Sequence, residues 1–380
     1  MLKTLFSSVV SCPVVVGTVL VGLLLVGSPL LGQSVAQLTP TRVIQVDPSR
    51  ELDGQASRQV DAKDASRGNT ERIESVVSSV SLSAEGNLLA VAGDDHLVRI
   101  FDTSSAGRLY RLAAHADWGR VVVFHPGSKA VATAGDDRVL RTWEVSNDRR
   151  PRELATHPQP IYTLDYSPDG KMLATGGFEN KVRVYGHDDG QLLRTLDAAG
   201  SDVRHLIFSP TGSHLAAIGR NGIVRVWDTL TWSVAADLKS GVGVAQTLAY
   251  SPEGTWLAAA GRSGAIHLWN LQSGESTEIA APEQAGSIAA MRFCSEDTLA
   301  TGGSDNTIRL WNLDTRQQQS RLVGHTGSIS SLAYDPSTSL LFSGSYDTTV
   351  CVWQLSGTSG PNTEELSRRY DSRYGDPVGR

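Results

Sequence analysis

Apolar and polar residues alternate along most of the chain in short runs, and each run is followed by a turn of small or polar residues. Alternation of this kind, bounded by turn residues, is typical of short antiparallel strands. The most regular run ends on an aromatic residue, as in VRVW at 224–227. That aromatic residue recurs every 42 positions, at Phe101, Trp143, Tyr185, Trp227, Trp269, Trp311 and Trp353. The chain therefore contains seven copies of one unit.

Each copy contains the same hairpin. The polar residue at its turn stands six positions before the aromatic residue, at Asp95, Asp137, Glu179, Asn221, Ser263, Asp305 and Asp347. A small residue comes two positions earlier, and it is Gly in every copy except the last, which has Ser345. Gly and polar turn residues before a β-branched run favour a tight hairpin. One alternating strand precedes the hairpin and a more polar strand follows the aromatic residue, so each unit is predicted to be four short antiparallel strands.

A single sheet of this kind cannot bury both faces, but seven arranged radially can. The predicted fold is all-β, a seven-bladed β-propeller of four-stranded antiparallel blades. The period, together with VRVWD at 224–228, resembles the WD-repeat family. The resemblance covers roughly residues 73–355 and implies a propeller. It implies little about function, because that family is united by architecture and binding rather than by a reaction.

The resemblance also implies a buried hydrogen-bonded set of His, Ser or Thr, Asp and Trp in each blade. Two blades carry complete sets, which are His325, Ser343, Asp347 and Trp353 in blade seven, and His115, Thr133, Asp137 and Trp143 in blade two. Two carry partial sets, which are His157, Thr175, Glu179 and Tyr185 in blade three, and Thr301, Asp305 and Trp311 in blade six. Blades one, four and five have Val91, Ala217 and Ala259 in place of the hydroxyl residue, so apolar packing is expected to hold them. The sets are predicted to serve the fold.

The first 36 residues differ from the rest of the chain. Lys3 is their only charged residue, an apolar run follows it, and Ser34-Val35-Ala36 has a small-x-small pattern. This predicts a secretory signal peptide over residues 1–36, cleaved near Ala36. An uncleaved anchor is the alternative, because the apolar run is long enough to span a bilayer. In either case the remainder is expected to be extracytoplasmic, either periplasmic or secreted.

The remaining boundaries follow from composition. Residues 37–72 are predicted to be an N-terminal segment with a polar linker, residues 73–357 the propeller, and residues 358–380 a disordered tail. Propellers of the WD-repeat family usually complete their last blade with a strand from the other end of the chain. Because TRVIQV at 41–46 has a strand pattern and the residues after Trp353 do not, segment 41–46 is expected to supply the outer strand of blade seven.

Composition and motifs argue against several functions. The formal net charge is −6, so the chain lacks the basic footprint of a nucleic-acid-binding protein. It has no H-E-x-x-H, C-x-x-C, G-x-S-x-G or Walker motif, and no catalytic residue, metal ligand or cofactor is predicted. The acidic pairs Asp94-Asp95 and Asp136-Asp137 belong to the hairpin turns. Cys294 and Cys351 lie in strand-like runs and are expected to be buried free thiols.

A binding surface is predicted instead at the mouth of the central channel. In the WD-repeat family the residue just before the turn Asp points to this mouth, and residues near the start of each first strand join it. The predicted partner-binding residues are Trp118, Arg120, Tyr162, Phe178, Arg204, Arg220, Arg262, Tyr346, Asp94 and Asp136. Trp, Tyr and Arg are the residues most often found at binding hot spots. Acidic residues on blades one and two, opposite basic residues on blades four and five, suggest a bipolar mouth for a segment with a basic end, an apolar middle and an acidic end.

The function that best fits the sequence is an exported, non-catalytic interaction scaffold. Its partner would be a protein or a peptide segment, and a monomer is expected. Membrane contact is expected only if the N-terminal segment is retained as an anchor. Two alternatives remain open, a ligand-binding or enzymatic propeller of the sugar, lactone or quinone-cofactor type, and a tethered structural protein of the cell envelope.

Overall fold

The polypeptide is described by a computed structural model over residues 35–46, 75–127, 130–145, 150–200, 202–280, 282 and 285–355. The predicted signal segment up to residue 34, the polar linker and the C-terminal tail lie outside the described residues. Strands form nearly all of the regular structure in the described ranges. None of these ranges contains a helix long and apolar enough to cross a bilayer.

The strands follow one another in groups of four. The chain begins with β1 (Ala36–Leu38) and β2 (Arg42–Gln45). Blade one contains β3 (Val77–Leu82), β4 (Leu88–Gly93), β5 (Leu97–Asp102) and β6 (Arg108–Ala113). Blade two contains β7 (Gly119–Phe124), β8 (Ala130–Gly135), β9 (Val139–Glu144) and β10 (Arg152–Thr156). Blade three contains β11 (Ile161–Tyr166), β12 (Met172–Gly177), β13 (Glu179–Gly186) and β14 (Leu192–Asp197).

The second half of the ring repeats the arrangement. Blade four contains β15 (His205–Phe208), β16 (His214–Ile218), β17 (Ile223–Asp228) and β18 (Val234–Lys239). Blade five contains β19 (Ala245–Tyr250), β20 (Trp256–Gly261), β21 (Ile266–Asn270) and β22 (Ser276–Ile279). Blade six contains β23 (Ile288–Phe293), β24 (Thr298–Gly303), β25 (Thr307–Asn312) and β26 (Gln317–Val323). Blade seven contains β27 (Ile329–Asp335), β28 (Leu340–Ser345) and β29 (Thr349–Gln354).

Within each blade the strands are antiparallel and lie side by side in chain order from the axis outward. The predicted fold of seven four-stranded blades is thus confirmed. The second strand of a blade is buried along almost its whole length, as in β20, whose sequence is WLAAAG. The outer strand is mostly exposed, as in β14. Small and apolar residues therefore concentrate in the strands that have sheets on both faces, as in other stacked sheets.

The outer strand of blade seven comes from the N-terminal segment. Strand β2 pairs antiparallel with β29, with Val43 opposite Cys351 and Ile44 opposite Val350. It lies within the predicted segment 41–46. The sequence did not predict β1, which pairs in parallel with β26 and makes blade six a five-stranded sheet. The two short strands are thus the outermost strands of blades six and seven.

The core is divided into seven apolar clusters, one at each interface between neighbouring blades. Each phased aromatic residue belongs to the interface with the preceding blade. Trp353, for example, packs with residues of blade six, and Phe101 of blade one packs with Phe342 of blade seven. All seven aromatic side chains are buried. The period of the sequence is therefore the period of the interfaces between blades.

Candidate functional site

A central cavity of about 930 Å³ runs between the first strands of the blades. Seven of the ten predicted partner-binding residues line it, namely Trp118, Arg120, Tyr162, Arg204, Arg220, Arg262 and Tyr346. The other three adjoin this group. Asp136 pairs with Arg120, Phe178 contacts the ring of Tyr162, and the Asp94 carboxylate interacts electrostatically with Tyr346. These ten residues are called the mouth.

β-Bulges explain why several of these side chains point into the mouth. In six blades the pairing of the first with the second strand skips one residue near the start of the first strand. The skipped residue is Arg120 in blade two and Tyr162 in blade three. A bulge leaves its extra residue unpaired and re-aims the side chain. Arg204 holds the corresponding position of the repeat in blade four, just before β15 begins.

Aromatic rings and guanidinium groups alternate across blades two, three and four. The Arg120 guanidinium carbon lies 3.8 Å from the centroid of the Trp118 ring and 5.6 Å from that of Tyr162. The Arg204 guanidinium carbon lies 5.1 Å from the Tyr162 centroid and 5.3 Å from the Phe178 centroid. Tyr162 and Phe178 meet edge to face, with centroids 5.8 Å apart. These distances are within the range of cation–π attraction, so the five side chains form one stack.

Ion pairs fix both arginines of the stack. Arg120 donates from Nε and Nη2 to the two carboxylate oxygens of Asp136, at 2.9 and 2.7 Å. Arg204 donates from Nε to Asp202 Oδ2 at 2.8 Å, and Arg220 Nε lies 2.9 Å from the same oxygen. Bidentate and shared carboxylate contacts of this kind restrict the rotamers of long side chains. The stack is therefore held in place before any partner binds.

These pairs change the predicted charge pattern of the mouth. The carboxylate of Asp136 is compensated by Arg120, so Asp94 is the remaining acid on that side among the ten mouth residues. On the other side, two guanidinium groups share the single carboxylate of Asp202, and Arg262 is exposed, without an ion pair among the described residues. With these pairs counted, the basic side of the mouth carries two uncompensated guanidinium groups and the acidic side carries the single carboxylate of Asp94. The sequence did not single out Asp202, because no acidic residue recurs at its position in the repeat.

The fold agrees with the comparison to known families. A family profile described as the IFT122 first beta-propeller matches residues 122–368, which is more than half of the chain. The chain belongs to the IFT122 first beta-propeller family. The profile of the WD domain, G-beta repeat, matches residues 68–102, a range that includes the first three strands of blade one. The predicted resemblance to WD-repeat proteins is thus confirmed. No curated protein is significantly similar to the chain.

In this member of the IFT122 first beta-propeller family, blade seven contains a continuous hydrogen-bonded set. The Trp353 indole N–H donates to Ser343 Oγ at 2.8 Å, and Ser343 Oγ lies 2.7 Å from His325 Nε2. His325 Nδ1 then donates to Asp347 Oδ2 at 2.8 Å. Burial alone would raise the pKa of Asp347, but the hydrogen bonds from His325 and Thr349 hold it well below its usual range. The predicted set of blade seven is therefore complete.

The other predicted sets are less continuous. In blade two, Trp143 donates to Thr133 at 3.0 Å and His115 Nδ1 donates to Asp137 at 2.9 Å. His115 Nε2, however, is buried without a hydrogen-bond partner, so the link between the two pairs is missing. In blade six, Trp311 donates to Thr301 at 2.8 Å.

Blade three uses a tyrosine where blade seven uses a tryptophan. The Tyr185 hydroxyl lies 3.0 Å from His157 Nε2, and Thr175 Oγ1 lies 3.4 Å from the same atom. Glu179 pairs with Arg183 of the same strand, β13. Burial, followed by the charge of Arg183, lowers the pKa of His157 to about 4, so this histidine is neutral near pH 7.

The sequence analysis missed one position of the repeat, two residues before the aromatic residue, that is basic in most blades. Its arginines pair with the turn carboxylates of blades one, two, three and six, in the pairs Arg99–Asp95, Arg141–Asp137, Arg183–Glu179 and Arg309–Asp305. Blade one therefore does not rely on apolar packing alone, as the sequence had predicted, because Arg99 is only 2% exposed and is paired with Asp95. The regular 42-residue spacing of these arginines could have revealed this position.

Other features relevant to chemistry are few in the described part of the chain. No group of three or more His, Cys, Asp or Glu side chains there is arranged to bind a metal ion. Cys294 and Cys351 are buried free thiols, as predicted. Burial raises the pKa of each to about 12, which keeps them in the unreactive thiol form.

Proposed function

We propose that this protein is an exported, non-catalytic propeller that binds a protein, or a segment of a protein, across the mouth. WD-repeat propellers generally bind proteins and generally do not catalyse reactions. The observation that carries the proposal for this chain is the stack of Trp118, Arg120, Tyr162, Arg204 and Phe178. It combines the residue types that dominate binding hot spots in one rigid surface.

The energetics of binding support this use of the stack. Binding normally costs free energy because interface side chains lose rotamer freedom, typically about 0.5–1.5 kcal/mol for each long side chain. Arg120 and Arg204 are already held by Asp136 and Asp202, so much of this cost is met during folding. Phe178 and Tyr346 are 40% and 51% exposed, which leaves aromatic surface for a partner to bury.

Export is the second part of the proposal, and the N-terminal sequence supports it. Lys3, the apolar run and the small-x-small pattern at Ser34-Val35-Ala36 are the features of a secretory signal. The partner is therefore sought in the extracytoplasmic compartment, at the cell envelope or among secreted proteins.

The test is a binding measurement with a partner recovered from an envelope fraction. The tagged protein serves as bait, and the kinetics of the recovered partner are then measured by surface plasmon resonance. Trp118→Ala and Phe178→Ala are expected to speed dissociation by about tenfold or more, since truncated hot-spot side chains typically cost about 2 kcal/mol. Leu230→Ala is the matched control, because Leu230 is 89% exposed in a turn at the outer side of blade four. Unchanged rates in both mouth variants, with unchanged melting temperatures, would exclude the mouth as the binding surface.

A further inference from the structure

We infer that the segment bound at the mouth is acidic, with side-chain carboxylates that bind the guanidinium groups of Arg220 and Arg262. The inference rests on the proposed function, because it assumes that the mouth is the binding surface. It differs from the bipolar segment that the sequence suggests.

The first argument is the balance of hydrogen-bond donors and acceptors at the mouth. Both oxygens of Asp136 accept bonds from Arg120. Both oxygens of Asp202 are also occupied, because Oδ1 accepts from the Arg220 backbone N–H at 3.1 Å and Oδ2 accepts from two guanidinium groups. An Asp94 oxygen accepts from the Val76 backbone N–H at 3.0 Å. Most carboxylate oxygens of the mouth therefore already accept hydrogen bonds within the protein. Guanidinium N–H donors are left over for a partner.

The second argument is where those donors lie. The Arg220 side chain is 54% exposed, and its only ion pair among the described residues is the one that it shares on Asp202. Arg262 occupies the equivalent position on the neighbouring blade, is exposed, and has no ion pair with any described residue. One carboxylate against three guanidinium groups, those of Arg204, Arg220 and Arg262, leaves two uncompensated positive charges on neighbouring blades. Carboxylates placed there would form charge-assisted hydrogen bonds.

The third argument concerns the class of polymer. Nucleic acids bind through several phosphate contacts, each neutralised by Lys or Arg. The mouth offers two uncompensated guanidinium groups in a chain whose net charge is −6. A protein segment with a few carboxylates, which can also place an apolar side chain against Tyr346 and Phe178, fits this arrangement better than a polyanion.

The experiment selects peptides without assuming a partner. A phage-displayed library of random 12-residue peptides is selected on the immobilised protein, and the enriched peptides are synthesised together with versions in which Asn and Gln replace Asp and Glu. Enriched peptides are expected to be rich in Asp and Glu. At low salt the acidic versions should bind about tenfold or more tightly than the amide versions, and the difference should shrink at high salt as the charges are screened.

Two charge variants locate the effect. Arg220→Gln with Arg262→Gln is expected to weaken binding of the acidic peptides about tenfold, to the level of the amide versions. Arg108→Gln with Arg111→Gln removes the same charge from exposed positions on the outer strand β6 and should leave the affinity within about twofold. Neutral or basic enriched peptides, or acidic peptides insensitive to the mouth variant, would overturn the inference.

A third variant separates this inference from the proposed function. Peptides that lose binding in Trp118→Ala but are unaffected by Arg220→Gln with Arg262→Gln would support the mouth as the binding surface and overturn the acidic-segment inference. Peptides that respond to none of these variants, or a selection that enriches no peptide, would count against both the inference and the proposed function. A 12-nucleotide single-stranded DNA that competes as well as the acidic peptides would overturn the acidic-segment inference in favour of a general anion site.

Discussion

At the scale of single residues, equivalent positions of the repeat do different work in different blades. Asp347 accepts hydrogen bonds from His325, from the Thr326 backbone N–H at 2.8 Å and from the Thr349 backbone N–H at 3.1 Å. Ser263, at the same position in blade five, accepts one bond from the Ala265 backbone N–H at 3.3 Å. The number of buried donors that each residue satisfies should therefore decide the cost of removing it.

Asp347→Ala is expected to lower the free energy of unfolding by roughly 1–3 kcal/mol, because it leaves buried donors without an acceptor. Ser263→Ala should change it by less than about 0.5 kcal/mol. Trp353→Ala, which empties a buried site next to the same set, should cost about 3–5 kcal/mol. Urea unfolding followed by circular dichroism measures all three. Equal losses in Asp347→Ala and Ser263→Ala would contradict the assignment of the set to blade seven.

His157 should make stability depend on pH in the mildly acidic range. Its folded-state pKa of about 4 lies below the ordinary value of 6.5. As the pH falls from about 6.5 toward 4, the unfolded chain binds a proton that the folded state does not, so stability is lost. At pH 5 this loss amounts to about 2 kcal/mol at most relative to pH 7.5.

His157→Gln removes this titration. The variant is expected to be less stable than the parent at pH 7.5, because Tyr185 loses its partner, yet to lose less stability between pH 7.5 and pH 5. His214→Gln, at a partly exposed position of β16, is the control. If the free energy of unfolding fell equally with pH in the parent and in His157→Gln, the pKa of His157 would not be lowered in the folded protein.

The hydrogen-bonded sets could be predicted because the resemblance to WD-repeat proteins implies them, and their residues stand at fixed offsets from the aromatic residue. The alternating stack could not, although each of its members was named in advance. The order of the side chains in the stack depends on the bulges that aim Arg120 and Tyr162 into the channel. A bulge is a feature of the pairing between two strands, so the residue pattern of one strand does not reveal it. Asp202 was missed for a similar reason, since it acts through two neighbours rather than through the repeat.

At the scale of elements, closure of the ring depends on β2. Ile44 is buried in the cluster between blades seven and one, and its neighbour Val43 is 48% exposed on the opposite face of the same strand. Period-two alternation made this strand predictable. Strand β1 was not predictable, because three residues in a parallel pairing are too few to show a period.

The two faces of β2 provide a matched pair of variants. Ile44→Ala should lower the free energy of unfolding by about 2–4 kcal/mol, since it creates a cavity at the closing interface. Val43→Ala should stay within about 0.5 kcal/mol of the parent. Thermal melts of both variants measure the difference. If Ile44→Ala proved as stable as Val43→Ala, the N-terminal strand would not contribute to closure.

At the scale of the whole molecule, the position of the predicted signal cleavage site bears on the first strand of the ring, β1. The sequence predicts cleavage near Ala36, which is the first residue of β1. Leu38, two residues later, packs against the cluster between blades six and seven. A mature chain that begins at Gln37 would keep this contact.

N-terminal sequencing of the exported protein should therefore begin at Gln37 or within a residue or two of it. The protein should be released from the membrane fraction without detergent. A sequence beginning at Met1 in a membrane fraction would favour the anchor instead. Replacing Ala36 with Pro is a useful control, because it should block processing at this site if cleavage occurs there.

The pairing of β2 with β29 also sets the order of events during synthesis. The Thr41 hydroxyl donates to the carbonyl oxygen of Val352 across 311 positions of sequence. A ribosome or a translocation pore must therefore release nearly the whole chain before the last blade can receive its outer strand. Until then the interface surfaces of blades one and seven have no permanent neighbour, and contacts this distant in sequence form slowly. Until the seventh blade is complete, these exposed apolar surfaces therefore leave the nascent chain open to aggregation.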